Sequence, residues 1–432
     1  MRKRMKRYIA ILTLVPVLFL CGCNELNVFD FNIIEEAVSE EPAVPSTEIT
    51  PTEPVKLPEN MNEGYVQFSV ELLKRCIAEG ENSMISPASV HFALNMAAMG
   101  ATNQTLEEMI AVLCPGATLE EITEYSQALS LKINQSQHVS FHVANSMWAN
   151  ETLIGNVLSD DYVKALEEEM NAQAEILPFN NEAVEKINAW VNENTAEMIP
   201  TLLDEIPADT VMYLINAMSF EGEWADQYDD YQVQEKIFTN AAGTEETADM
   251  LCETGSNYLE SDEATGFLKY YKGGEYAFLA ILPNEGTTAE EYIADLTAEE
   301  YLEFYNSLTT EYDVVSELPC FSYSYDLTMN DALKDMGMPT AFDKVNADFS
   351  PMVTDENAQL YIDQVLHKTY IELDQHGTKA AAVTSVAMRL ESAMMEQPEI
   401  KYVILDRPFV YAIVDTETGA PIFMGTLNTL NE

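Results

Sequence analysis

Apolar residues along this chain recur at two different spacings. Tyr65, Phe68, Leu72, Leu73 and Ile77 step by three and four, which predicts a helix that buries one stripe. A second amphipathic helix is predicted over Asn188 to Met198, anchored by Trp190. Runs of strand length, rich in β-branched and aromatic residues, follow at Val139 to Val143, Val211 to Phe220, Ala277 to Leu282, Phe409 to Val414 and Ile422 to Leu427. The first half is helix-rich and the end strand-rich. That mixture lacks strict βαβ alternation, so it predicts an α+β unit and argues against a doubly wound enzyme fold.

One stretch stands apart from both patterns. From Gly377 to Met388 an acidic chain becomes a run of Ala, Thr, Val and Ser with no proline, small enough for an exposed loop yet able to pair as a buried strand. With a two-residue period, Thr378, Ala380, Ala382, Thr384, Val386, Met388 and Leu390 share one face. Lys379, Ala381, Val383, Ser385, Ala387, Arg389 and Glu391 share the other. All three charges fall on the second face, so the segment has a defined register if it enters a sheet. As a linker between two strands it is equally well explained.

The neighbouring motifs decide between these. Val365-Leu366-His367-Lys368-Thr369-Tyr370-Ile371-Glu372-Leu373-Asp374 precedes the stretch; Leu405-Asp406-Arg407-Pro408-Phe409 and Pro421-Ile422-Phe423-Met424-Gly425 follow it. Upstream stand Asn82-Ser83-Met84-Ile85-Ser86-Pro87-Ala88-Ser89, Asn216-Ala217-Met218-Ser219-Phe220-Glu221-Gly222-Glu223-Trp224 and Leu318-Pro319-Cys320-Phe321. In order and spacing, over roughly residues 61 to 430, these closely resemble the serpins. The resemblance implies one α+β unit with a large central sheet, two smaller sheets, eight or nine helices and an exposed reactive-centre loop. It overrides the two or three domains that length alone would suggest.

The same resemblance implies a trap rather than an enzyme. A target serine or cysteine protease attacks the loop and becomes acylated; the freed segment then slides into the central sheet and carries the protease about 45 Å. Gly377, Thr378, Lys379, Ala380, Ala381, Ala382, Val383 and Thr384 correspond to the family's hinge. Thr378 and the three alanines match its inhibitory pattern, whereas Gln375 and Lys379 each replace a usual Glu and Val383 is bulkier than usual. Counting from Gly377 puts the scissile bond at Glu391-Ser392. Counting back from Pro408 gives Gln397-Pro398 instead, and the hinge count is preferred because the sheet sets insertion length. Glu391 points to a protease that tolerates an acidic residue, or to an elastase-like one cutting at Ala387, Ala393 or Met394, with Arg389 as a trypsin-like option. By motif position Ser86, Ser89, Asn216 and His367 form a polar cluster beneath the central sheet, and Trp224 stands where the loop first enters. A serpin-like binding protein that does not inhibit is the alternative, permitted by the three hinge departures; a lipid-anchored solute-binding protein is a second.

Residues 1–23 read as an export signal, with Arg2, Lys3, Arg4, Lys6 and Arg7 ahead of an apolar run from Tyr8 to Leu20. Leu20-Cys21-Gly22-Cys23 resembles a bacterial lipobox, with Cys23 as the lipidated residue. Residues 24–60, rich in Glu, Thr and Pro, cannot build a core and read as a tether; the serpin domain spans 61–432. The expected location is the outer face of a bacterial cell membrane. A formal net charge of −52 opposes nucleic acid and acidic lipid, leaving a target protease and the lipid anchor as the expected partners of a monomer. Cys76, Cys114, Cys252 and Cys320 show no paired spacing and read as free thiols. No nucleophile-elbow, zincin, phosphate-loop or dinucleotide motif is present, and no metal or cofactor is expected. His138 and His142 lie four apart but within a strand-like run, with no third ligand at a usable spacing.

Overall fold

The computed structural model describes residues 55–155, 157–170, 172–355, 357–378 and 398–431. Glu59–Cys76 forms the first helix, with Glu59 in its first turn and Lys74 and Arg75 in its last, charges that complement the helix dipole. Pro87–Met99 follows, with Ser86 capping it by accepting from Ser89 N and Pro at its start. Every residue of that helix except Met99 is buried, so it runs through the core rather than over it.

The strands form three sheets, of which the central and second pack against these helices. The central one has the order Phe321–Thr328, Gln364–Leu373, Gly377–Thr378, Met212–Glu223, Val139–Asn150, Gln173–Leu177. A second sheet runs Ser83–Ile85, Pro421–Leu427, Phe409–Asp415, Tyr276–Pro283, Ala264–Tyr270, Tyr258–Glu260. The third, of four strands, runs Ile400–Ile404, Asp313–Pro319, Glu245–Gly255, Val233–Thr239. Strands 276–283, 409–415 and 421–427 are buried at every position, which explains why their sequences are continuous apolar runs without alternation.

The 212–223 strand is covered on both faces. Met212, Leu214, Met218 and Phe220 belong to the main core, whereas Tyr213, Ile215 and Ala217 pack beneath a helix on the opposite side. That helix is Asn181–Asn194, not 188–198 as the apolar spacing predicted. Asn180 caps its start by accepting from Ala183 N, and the chain leaves helical geometry at Thr195; buried Met198 mimics a continuation it does not make. The predicted run at 139–143 is only the start of a strand that reaches Asn150. His142 sits in that strand with Nε2 3.4 Å from Glu221. Cys76 and Cys114 are buried and Cys252 and Cys320 half-buried, all as free thiols.

Candidate functional site

Two adjacent central strands are paired for part of their length and then part. The 364–373 and 212–223 strands run parallel, in register from Gln364↔Tyr213 to Tyr370↔Ser219. Beyond that the gap between them opens, and Gly377–Thr378 enters it antiparallel to both. Gly377 pairs with Glu223, and Thr378 with Gly222 on one flank and Leu373 on the other.

A polar cluster lies where the two strands are still joined. Ser86 N donates to His367 Nε2 at 3.0 Å, so that nitrogen carries no proton; Nδ1 therefore carries it and donates to Asn216 Oδ1. Burial pushes the His367 pKa down to about 3, which keeps the ring neutral. His367 and Asn216 are direct partners across the strand pair, so their bond ties together the strands that flank the gap. Ser86 Oγ donates to Ile422 O at 2.9 Å, linking the cluster to the second sheet. Ser89 Oγ turns instead to Asn145 Oδ1 at 3.0 Å, one strand further along. Among the described residues the buried Asn216 Nδ2 finds no hydrogen-bond acceptor, a cost of about 1–3 kcal/mol that the closed sheet carries.

At the open end, the backbone of the turn before Gly377 is held from several sides. Trp224 N donates to His376 O at 2.9 Å and Trp224 Nε1 to Asp374 O at 2.9 Å. Asp374 Oδ1 accepts from His376 N at 2.7 Å and Gly377 N at 3.2 Å, an Asx turn that reverses the chain into the gap. Gly377 is required there, because a Cβ would stand 2.0 Å from Gly222 O. Tyr228 N donates to Gln375 O at 3.0 Å, and Gln375 Nε2 reaches Asp230 Oδ1 at 3.4 Å. A glutamate at 375 would face that carboxylate, whereas the amide donates to it.

Comparison with known proteins places this arrangement. A family model described as serpin (serine protease inhibitor) matches residues 63–430. The chain belongs to the serpin family. An uncharacterised serpin-like protein of Thermococcus kodakarensis is 31% identical over 366 residues, 83% of each chain. Intracellular coagulation inhibitor 2 of Tachypleus tridentatus is 28% identical, covering 86% of this chain and 91% of its own. The thermophilic serpin tengpin in its native state matches with a TM-score of 0.80 at 36% identity, over 87% of this chain and 95% of that one. The fold is therefore the serpin fold, of a family whose members are in general protease inhibitors rather than enzymes.

Of the residues singled out by motif, the structure brings His367, Asn216 and Ser86 into one network, with Ser89 linked to it through its N–H to Ser86 Oγ while its hydroxyl goes to Asn145. Trp224, Gly377 and Thr378 meet at the other end of the gap. Lys379, Ala380, Ala381, Ala382, Val383, Thr384, Glu391, Ser392 and Cys23 lie outside the described residues. Asn145, Tyr271 and the carbonyl of Asp374 escaped sequence reasoning: each takes part in a hydrogen bond between distant elements that no local pattern signals.

Proposed function

We propose that this serpin is a suicide-type inhibitor of extracellular serine proteases that traps the acyl-enzyme by drawing its cleaved loop into the central sheet. The observation that carries the reading is the lodging of Thr378 between Leu373 and Gly222, antiparallel to both. Continuing that register along the strands sets Ala380 opposite Phe220 and Ile371, Ala382 opposite Met218 and Thr369, and Thr384 opposite Asn216 and His367. Both flanks give the same answer, because His367 already pairs with Asn216. The residues arriving on the core side are the small ones. Thr384 arrives at the bond that joins the strands and offers Asn216 Nδ2 an acceptor.

The departures from the family's hinge are compatible with this path. Lys379 would come to rest between Glu221 and Glu372, so the residue that replaces a usual acid meets an acid on each side. Val383 would fall opposite Ala217 and Lys368 on the face beneath the 181–194 helix, where an alanine leaves it room. Cleavage is assigned to Glu391-Ser392, by a protease that is elastase-like or tolerates glutamate. The head is carried on residues 24–60 from a lipid on Cys23, at the outer face of a bacterial membrane.

The test is incubation with elastase-like, trypsin-like, subtilisin-like and glutamyl proteases. A complex that survives heat and detergent, with a released fragment beginning at Ser392, is expected from at least one. Loop cleavage by all of them without any such complex would reject trapping in favour of a serpin-fold binding protein. Growth of the parent and Cys23→Ala with radiolabelled fatty acid, followed by detergent-phase partitioning, tests the anchor.

A further inference from the structure

We propose that Tyr271 is the positioning residue that fixes the depth and register at which the loop begins to enter the central sheet. This rests on the insertion reading above and adds to it a side chain from a different sheet. Tyr271 follows the 264–270 strand of the second sheet, and its hydroxyl meets Thr378 Oγ1 at 2.6 Å in a fully buried contact. Thr378 is only 1% exposed, so this is an anchor set inside the mouth of the gap.

The phenol is held rigidly. Its ring stacks on Trp224 at 4.6 Å and 12°, and meets Phe220 edge-on at 4.8 Å. Its backbone N–H donates to Tyr276 O at 3.0 Å, and Lys272 N beside it donates to Glu223 O at 2.8 Å. Gly222 makes the approach possible, since a Cβ there would stand 2.9 Å from the Tyr271 ring. Burial raises the phenol pKa, so the hydroxyl stays neutral and able to donate or accept.

Sequence on either side of Thr378 makes the contact selective. A slip of two residues would present Ala380, which has no polar atom, or His376, whose backbone is held by Trp224 N and Asp374 Oδ1. A slip of one would turn Gly377 or Lys379 toward the core, against the alternation of the sheet. Only Thr378 places a hydroxyl at Tyr271. The bond also explains how two residues of a loop stay seated between strands before any cut, since two residues alone pair weakly.

The experiment uses the full chain and three conservative variants, Tyr271→Phe, Thr378→Val and Thr378→Ser. Loss of the hydroxyl from either partner should raise amide hydrogen exchange at Thr378 about fivefold, the worth of one buried neutral hydrogen bond. Thr378→Ser should leave it at the parent value, and Tyr271→Phe combined with Thr378→Val should add nothing to either alone. With a responsive protease, Tyr271→Phe should raise cleaved inhibitor per trapped protease about fivefold while the rate of loop acylation stays the same. A residue that only stabilised the fold would not split those two readouts or be rescued by serine. Exchange that does not change in Tyr271→Phe, or effects that add fully in the double variant, would overturn the anchor even if trapping is observed. A coupled rise in exchange with no trapping by any protease would uphold the anchor and overturn the inhibitory reading instead.

Discussion

Replacing Thr378 by arginine tests the insertion path at its first buried step. The side chain at 378 meets the Tyr271 hydroxyl, and the residue is paired with Leu373 on one flank and Gly222 on the other, with 1% exposure. Seating a guanidinium there leaves a charge without a counterion, a penalty of about 3–5 kcal/mol by comparison with broken buried ion pairs. If the hinge withdraws instead, its pairing on both flanks is lost and the first step of entry has to be made against the same penalty. A cost of about 3 kcal/mol slows insertion about 100-fold, each 1.36 kcal/mol being a factor of ten. Trapping competes with hydrolysis of the acyl-enzyme, so a parent that traps ten proteases for each one released would become a variant that releases about ten for each one trapped. Stable complex is measured on denaturing gels against the molar ratio of inhibitor to protease, with Thr378→Ser as the control. Complex yield in Thr378→Arg within twofold of the parent would refute the assigned register, because no buried position tolerates that change so lightly.

Three further outcomes follow from the geometry. Lys379→Glu, which restores the family's usual residue, should reduce trapping here by about fivefold, since the new carboxylate would arrive between Glu221 and Glu372; improved trapping would show that the two flanks are misassigned. Gly222→Ala should lower the stability of the intact protein by about 1–3 kcal/mol in denaturant melts, because the added methyl would stand 2.7 Å from Phe220 Cζ and 3.0 Å from Val139 Cγ1. His91 and His367 are each held neutral by burial with pKa values pushed down to about 3. The unfolded chain takes up protons first, so the contribution of each ring is complete above about pH 6.5 and falls away as the pH drops toward 3, by about 2 kcal/mol at pH 5. Urea melts at pH 7 and pH 5 should show His91→Phe losing about 2 kcal/mol less than the parent over that interval; equal losses would count against a buried neutral His91.

The fold was legible where a motif fixed an order of elements, and much less so where a single atom did the work. His367, Asn216 and Ser86 could be brought together from sequence because each sits within a run whose neighbours define its place. That Ser89 turns to Asn145 was not legible, since both are small polar residues in apolar surroundings and either could have met Asn216. Trp224 was placed at the entry of the gap, but its two N–H groups act on the carbonyls of Asp374 and His376, and backbone carbonyls leave no trace in a sequence. Tyr271 was missed for a related reason: its partner Thr378 lies 107 residues away, in another sheet. The wrong helix boundary at 188–198 came from reading burial as periodicity, for Met198 and Ile199 are buried by the sheet beneath them and not by a continuing helical stripe.

The turn after the 181–194 helix supplies a last prediction about where native instability is stored. Ala196 and Glu197 have φ of 51° and 63°, left-handed values that each cost a residue with a side chain roughly 1 kcal/mol. The turn is pinned at a telling place, because Ser219 Oγ donates to Thr195 O at 3.1 Å and Ser219 is the last residue paired with the 364–373 strand before the gap opens. Ile187 and Val191 of the same helix belong to an apolar cluster with Ala217 on one strand of the gap and Leu366 on the other. Admitting a strand would move those two partners apart by about 4.8 Å, so the helix has to release one of them. The pinned turn would then be free to relax. Glu197→Gly removes the steric cost at one position while adding some unfolded-state entropy, so the intact protein should gain about 0.5 kcal/mol, read as a small rise in melting temperature. Material nicked in the loop should gain nothing or lose slightly, since glycine there brings only its entropic cost. Equal gains in intact and nicked protein would mean that the turn stays strained after insertion and contributes nothing to the driving force.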